Sequence, residues 1–177
     1  MHKIELEIVA LSHSITQSNS YAVVLGEVNG LRRLPIVIGG FEAQAIAVAL
    51  EKMNPSRPLT HDLMGLVFQG FGIELERVVI TSLKNSTFFA RLILRQQNEL
   101  GTKLVEIDAR PSDCLALASA LKRPIFVTRS LFHDVEDMSD HLAGANEQED
   151  VGEEDSEEPG EQVHLLHQGA HAGRGVE

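Results

Sequence analysis

One cysteine, one tyrosine and no tryptophan in 177 residues exclude several classes of protein. A single cysteine can form neither a disulfide framework nor the usual four-ligand thiolate zinc site. No apolar run approaches the ~18 residues of a membrane span. Glu5 and Glu7 interrupt the only early apolar stretch, so no signal peptide is expected. The expectation is a soluble chain of a reducing, cytoplasmic compartment. There is no Gly-Lys-Ser/Thr after a glycine loop, no G-x-S-x-G elbow and no H-E-x-x-H zinc helix. Gly39-Gly40 alone is a weak phosphate signal.

Basic charge is scarce, but unevenly so. The net charge of -11 divides into +1 for residues 1–134 and -12 for residues 135–177. The second segment contains 13 acids and only Arg174 as a base, and every aromatic residue lies at or before Phe132. Self-repulsion without an aromatic anchor cannot offset an ordering cost of ~1–2 kcal/mol per residue. Residues 135–177 are therefore read as a mostly disordered acidic tail, with a weak helical start at 135–142. Acidic mimicry of nucleic acid would let this tail inhibit binding; a solubilising extension is the alternative. His164, His167 and His171 are too loosely spaced for a metal tract. The near-neutral first segment does not exclude nucleic acid. It does lack the broad basic footprint of a tight duplex binder. Local contacts are expected through Arg32, Arg33, Lys122, Arg123 and Arg129.

Apolar residues make up 43% of the chain, enough for one core. Ile4, Leu6 and Ile8 alternate with charged residues, as in a strand with one buried face. Residues 21–28 and 31–38 predict a hairpin around Asn29-Gly30. The spacing of Ala45, Ile46, Ala49, Leu50 and Met53 predicts a helix over 41–53, ended by Pro55 and Pro58. Thr60 is read as the N-cap of a second helix over 60–69. Strands follow at 74–83, 87–96 and 102–109, with a turn at 98–101. Pro111 opens a third helix, and 124–127 is a last short strand. Hairpins broken by about three helices predict a compact single α+β domain over 1–134, with a mixed, largely antiparallel sheet. Open sheet edges leave room for a homodimer.

Two segments concentrate chemistry at helix starts: Arg57-Pro58-Leu59-Thr60-His61-Asp62-Leu63 and Glu106-Ile107-Asp108-Ala109-Arg110-Pro111-Ser112-Asp113. Asp62 and Asp113 have a structural alternative as dipole partners, and Arg57 and Arg110 as ion-paired scaffold. Together, carboxylates and a histidine can hold a hard cation such as Mg or Mn, and arginines can clamp a phosphate. Histidine is the side chain best suited to exchanging a proton near neutral pH. Cys114 falls in a Leu- and Ala-rich helix, where a packed thiol is expected.

At these segments the chain resembles the bifunctional nuclease (BFN) domain family. The carriers are Arg57 to Met64 and Asp108-Ala109-Arg110-Pro111-Ser112-Asp113. They are supported by Leu34-Pro35-Ile36-Val37-Ile38-Gly39 before Glu42-Ala43, and by Arg123 to Val127. Order and spacing agree across residues 3–133. Cys114 departs from the family pattern, which more often has Ala there; the acidic tail falls outside it. The resemblance implies a nuclease acting on DNA and RNA. On those motif positions, His61, Asp62, Asp108 and Asp113 are the catalytic candidates, and Asp62, Asp108 and Asp113 the metal ligands. Arg57 and Arg110 would bind phosphate, with Glu106 a weaker addition. The alternative is a non-catalytic module of the same fold that binds an anionic ligand or a protein.

Overall fold

The computed structural model describes residues 3–13, 20–99, 101–135 and 164–165. The elements run β1 (Lys3–His13), β2 (Ser20–Glu27), β3 (Arg33–Gly39), α1 (Gly40–Leu50), α2 (Thr60–Gly70), β4 (Ile73–Lys84) and β5 (Thr87–Asn98). They continue with β6 (Gly101–Ala109), α3 (Pro111–Leu121), β7 (Ile125–Thr128), α4 (Leu131–Asp134) and β8 (His164–Leu165). The sheet order is β3-β2-β1-β7-β4-β5-β6, and β8 pairs with β1. Every pairing is antiparallel except β4 with β7. That parallel pair requires a crossover, and α3 makes it, returning the chain from the β6 edge to the middle of the sheet. The fold is the expected α+β domain.

Alternation decides which sheet face is covered. Ala90, Leu92 and Leu94 of β5 join the buried core, and Arg91 and Arg95 fall on the opposite face. Across from them, α3 buries Cys114, Leu115, Leu117 and Ala118, while α1 contributes Ala43 and Ile46. α2 is different: none of its residues is buried. It lies against α3 where Gly65 faces Leu121, and a Cβ on Gly65 would come within 2.5 Å of Leu121 Cδ2.

Several boundaries depart from the sequence reading for local reasons. Asn29-Gly30 is not a two-residue turn: β2 and β3 are separated by residues 28–32, and neither Asn29 nor Gly30 has positive φ. Arg32 instead folds back on Glu27, with Nη2 donating to Oε1 at 2.6 Å. The positive-φ pair lies at Asn85 (φ 48°) and Ser86 (φ 59°), between β4 and β5, as a type I′ turn requires. The α1 helix stops at Leu50, short of Met53. Lys52 turns left-handed at φ 53°, and Met53 N–H donates to Val48 O at 3.0 Å. The same closure ends α3, with Lys122 at φ 51° and Arg123 N–H on Ala118 O at 2.8 Å. Leu59, not Thr60, is the N-cap of α2. The tail expected over 135–177 lies outside the described residues, apart from Val135 and the β8 pair.

Candidate functional site

The N-terminal ends of α1, α2 and α3 meet around one cavity of about 1070 Å3. Phe41 and Glu42 of α1, Thr60 and His61 of α2, and Arg110 and Asp113 at the start of α3 line it. Each helix carries an acid in its first turn, Glu42, Asp62 and Asp113 respectively. These acids do three different things. Asp62 Oδ2 accepts Leu59 N–H at 2.9 Å and caps its own helix. Asp113 takes Arg110 in a fork, from Nε to Oδ2 at 2.8 Å and from Nη2 to Oδ1 at 2.9 Å. Glu42 Oε1 accepts from the same Nη2 at 2.7 Å.

One guanidinium thus ties α1 to α3. The Asp113 hydrogen bonds, and secondarily Glu42, hold the Arg110 proton more firmly than in a free arginine. The Arg110 side chain remains 68% exposed, so this cluster borders solvent. Two carboxylates around one guanidinium leave one negative charge in excess.

The remaining expected residues divide. His61 lines this cavity and also a neighbouring groove of about 550 Å3 between the helices. Asp62 lines only the groove. Asp108 lines the larger cavity, but its cross-strand partner is Arg91, whereas Ile107 pairs with buried Leu92. Its side chain therefore leaves the sheet on the face away from the helices. Glu106 shares that face and accepts from Arg91 Nη1 at 2.6 Å. Arg57 is exposed on the loop before α2 and lines neither space. The fold thus gathers His61, Arg110 and Asp113, sets Asp108 at the cavity border with its side chain on the opposite face, and leaves Arg57 and Asp62 to the side.

Glu42 belongs to the cluster although the two sequence segments do not contain it. Its signal was an acid three residues after Gly39, at a helix start. A Cβ on Gly39 would lie 2.7 Å from Glu42 Oε2, so glycine there leaves the carboxylate room.

The expected Mg or Mn site fits poorly. Among the described residues, no three His, Cys, Asp or Glu side chains are grouped to hold a metal ion. Asp62 is taken by Leu59 N–H and Asp113 by Arg110. Cys114 is fully buried, and burial, with smaller contributions from Asp113 and Asp108, pushes its thiol up to about 12. A thiol that holds its proton is a packing group, not a nucleophile. Two of the arginines proposed for nucleic-acid contact are engaged elsewhere: Arg32 on Glu27 and over the Phe132 ring, Arg123 on Glu74. Among the described residues, no helix is long and apolar enough to cross a membrane.

Similarity to known proteins follows these same segments. "Uncharacterized protein Rv1829" and "Uncharacterized protein MT1877", from two strains of Mycobacterium tuberculosis, are each 37% identical over 136 residues. Each match covers 75% of this chain and 79% of the relative. "Bifunctional nuclease 1" of Arabidopsis thaliana is 26% identical over 98 residues, covering 55% of this chain and 30% of that protein. Residues 23–139 match the family described as Bifunctional nuclease domain, a span that contains every residue of the cavity. The chain belongs to the bifunctional nuclease domain family.

Proposed function

We propose that this chain is a nuclease that hydrolyses phosphodiester bonds of DNA and RNA at the cavity between the three helix starts. The observation that carries this reading is the convergence of α1, α2 and α3 by their N-termini on His61 and Arg110. Helix N-termini present free N–H donors and the positive end of the dipole, which suits a phosphate. Arg110 offers donors of matching geometry, and Asp113 and Glu42 fix its plane. His61 acts as general base. It takes a proton from water as the oxygen attacks phosphorus, the bond from phosphorus to the leaving sugar oxygen breaks, and the imidazolium returns the proton to that oxygen. Family membership supports a nuclease-like activity, and the Arabidopsis relative carries that name.

The test is cleavage of labelled single-stranded DNA and RNA by highly purified full-length chain, with and without EDTA. His61→Ala should lower kcat by roughly 10²–10⁴-fold, the usual contribution of a general base. The Asp108→Asn/Asp113→Asn variant, run in parallel, should also lose activity. Undiminished cleavage by both variants would assign the activity to a contaminant or another site.

One observation favours a second reading. Arg110 is already engaged by two carboxylates, as it would be in a scaffold that binds an anion or protein without turnover. Oligonucleotide binding without cleavage in the same assay would select that reading.

A further inference from the structure

His61 lines two spaces at once. The cavity at the helix starts measures about 1070 Å3 and the groove between the helices about 550 Å3. Ala45, Pro58, Leu59 and His61 line both. The two spaces therefore meet at the start of α2, with half-buried His61 at the junction. Each is large enough to take a nucleotide-sized group.

The two sides of that junction differ in charge. In the cavity, Glu42 and Asp113 outweigh Arg110. In the groove, Lys52 and Lys122 are the basic lining residues and Asp62 the acidic one. Asp62 is already held by Leu59 N–H. Both lysines are exposed, and among the described residues neither has an ion-pair partner. They hold equivalent places: Lys52 closes α1 at φ 53° and Lys122 closes α3 at φ 51°. Glycine is the residue that a left-handed closing position favours, because a side chain there crowds the backbone. A lysine near a helix C-terminus does complement the dipole, but any position in the last turn serves that purpose without positive φ. Two lysines in the crowded conformation, on two helices and lining one groove, point to an anion held between them.

We propose that the groove carries the continuation of a single-stranded substrate, its phosphates on Lys52 and Lys122, and that the chain cuts within strands as an endonuclease. The inference rests on the nuclease reading of the cavity. A strand whose scissile phosphate lies at His61 has room on either side. One side runs towards Arg110 and the exposed Phe41 ring in the cavity, the other towards the two lysines in the groove. A site that admits strand on both sides needs no chain end. Hydrolysis at the junction leaves one product strand in each space. An exonuclease needs the reverse, a wall that stops the strand close to the scissile bond.

The test gives the full chain a covalently closed circle of single-stranded DNA beside a linear, end-labelled oligonucleotide. The circle should be cut, and the linear strand should yield internal fragments before mononucleotides. Cleavage of the linear strand but not the circle overturns the endonuclease inference and leaves the nuclease reading standing. Cleavage of neither overturns the nuclease reading itself. Binding tests the lysines without turnover. By fluorescence anisotropy with a labelled single-stranded oligonucleotide, Lys52→Gln/Lys122→Gln should bind roughly tenfold or more weakly at low salt. The slope of log affinity against log salt should become shallower by ~0.7 for each lysine removed. Lys52→Gly/Lys122→Gly should show the same loss while melting no lower than wild type, since glycine accepts the left-handed backbone freely. Unchanged affinity and salt slope in the folded double variants overturns the phosphate role of the lysines. A lower melting temperature with unchanged affinity in the glycine variant assigns them to the helix ends instead.

Discussion

Arg110 Nη2 donates to Glu42 Oε1 at 2.7 Å across 68 positions of sequence, joining the first turn of α1 to the N-cap of α3. The contact fixes the spacing of two of the three helix starts around the cavity. It also adds a second anion to a guanidinium that Asp113 already neutralises.

Glu42→Gln should therefore strengthen anion binding. The amide oxygen can still accept from Arg110, so the geometry persists while the charge is removed. The expected gain in oligonucleotide affinity is about twofold to fivefold at low salt, equivalent to ~0.4–1 kcal/mol for an exposed pair. Fluorescence anisotropy would measure it. Weaker binding by Glu42→Gln would mean that the carboxylate itself holds Arg110 in its binding position.

The fold was largely legible because its signals are local. Alternation in β5 separates Ala90, Leu92 and Leu94 from Arg91 and Arg95, and Pro111 stands at the first position of α3 as its chemistry requires. The misses came where tertiary contacts outweigh local preference. Asn29-Gly30 is the stronger turn dipeptide, yet the Glu27–Arg32 pair draws its loop wider, and Asn85-Ser86 adopts the left-handed pair. Periodicity alone also does not say how deeply α2 sits: Leu63, Leu66 and Val67 remain exposed. Glu42 was out of reach for the same reason: only the return of α3 across the sheet brings Arg110 to it.

Gly65 sets how closely α2 rests on α3. Gly65→Ala should change stability little, because the helix-propensity gain of up to ~1 kcal/mol is offset by displacing Leu121 Cδ2. Gly65→Val has a branched side chain that cannot be accommodated by one turned methyl. It should lower stability by about 1–3 kcal/mol, as overpacking does. Thermal melting of the two variants beside wild type checks this. Equal melting temperatures for Val and Ala would mean that α2 does not bear on α3 at this point in solution.

Glu74 supplies the pH dependence. Its Oε2 accepts from Arg95 Nη2 at 2.5 Å and its Oε1 from Arg123 Nη2 at 2.6 Å, linking β4 to β5 and to the segment before β7. The hydrogen bond from Arg95, then that from Arg123, holds this carboxyl below its ordinary value. A folded pKa below the unfolded one means that the stabilisation is fully present above ~4.3, the unfolded glutamate value, and is lost as pH falls through the lower folded value. Wild type should therefore melt above Glu74→Gln at neutral pH, and the gap should close progressively below about pH 4. Because the three side chains are partly exposed, high salt at neutral pH should also narrow it. A gap constant from neutral to acid pH would assign the effect of Glu74 to packing instead of charge.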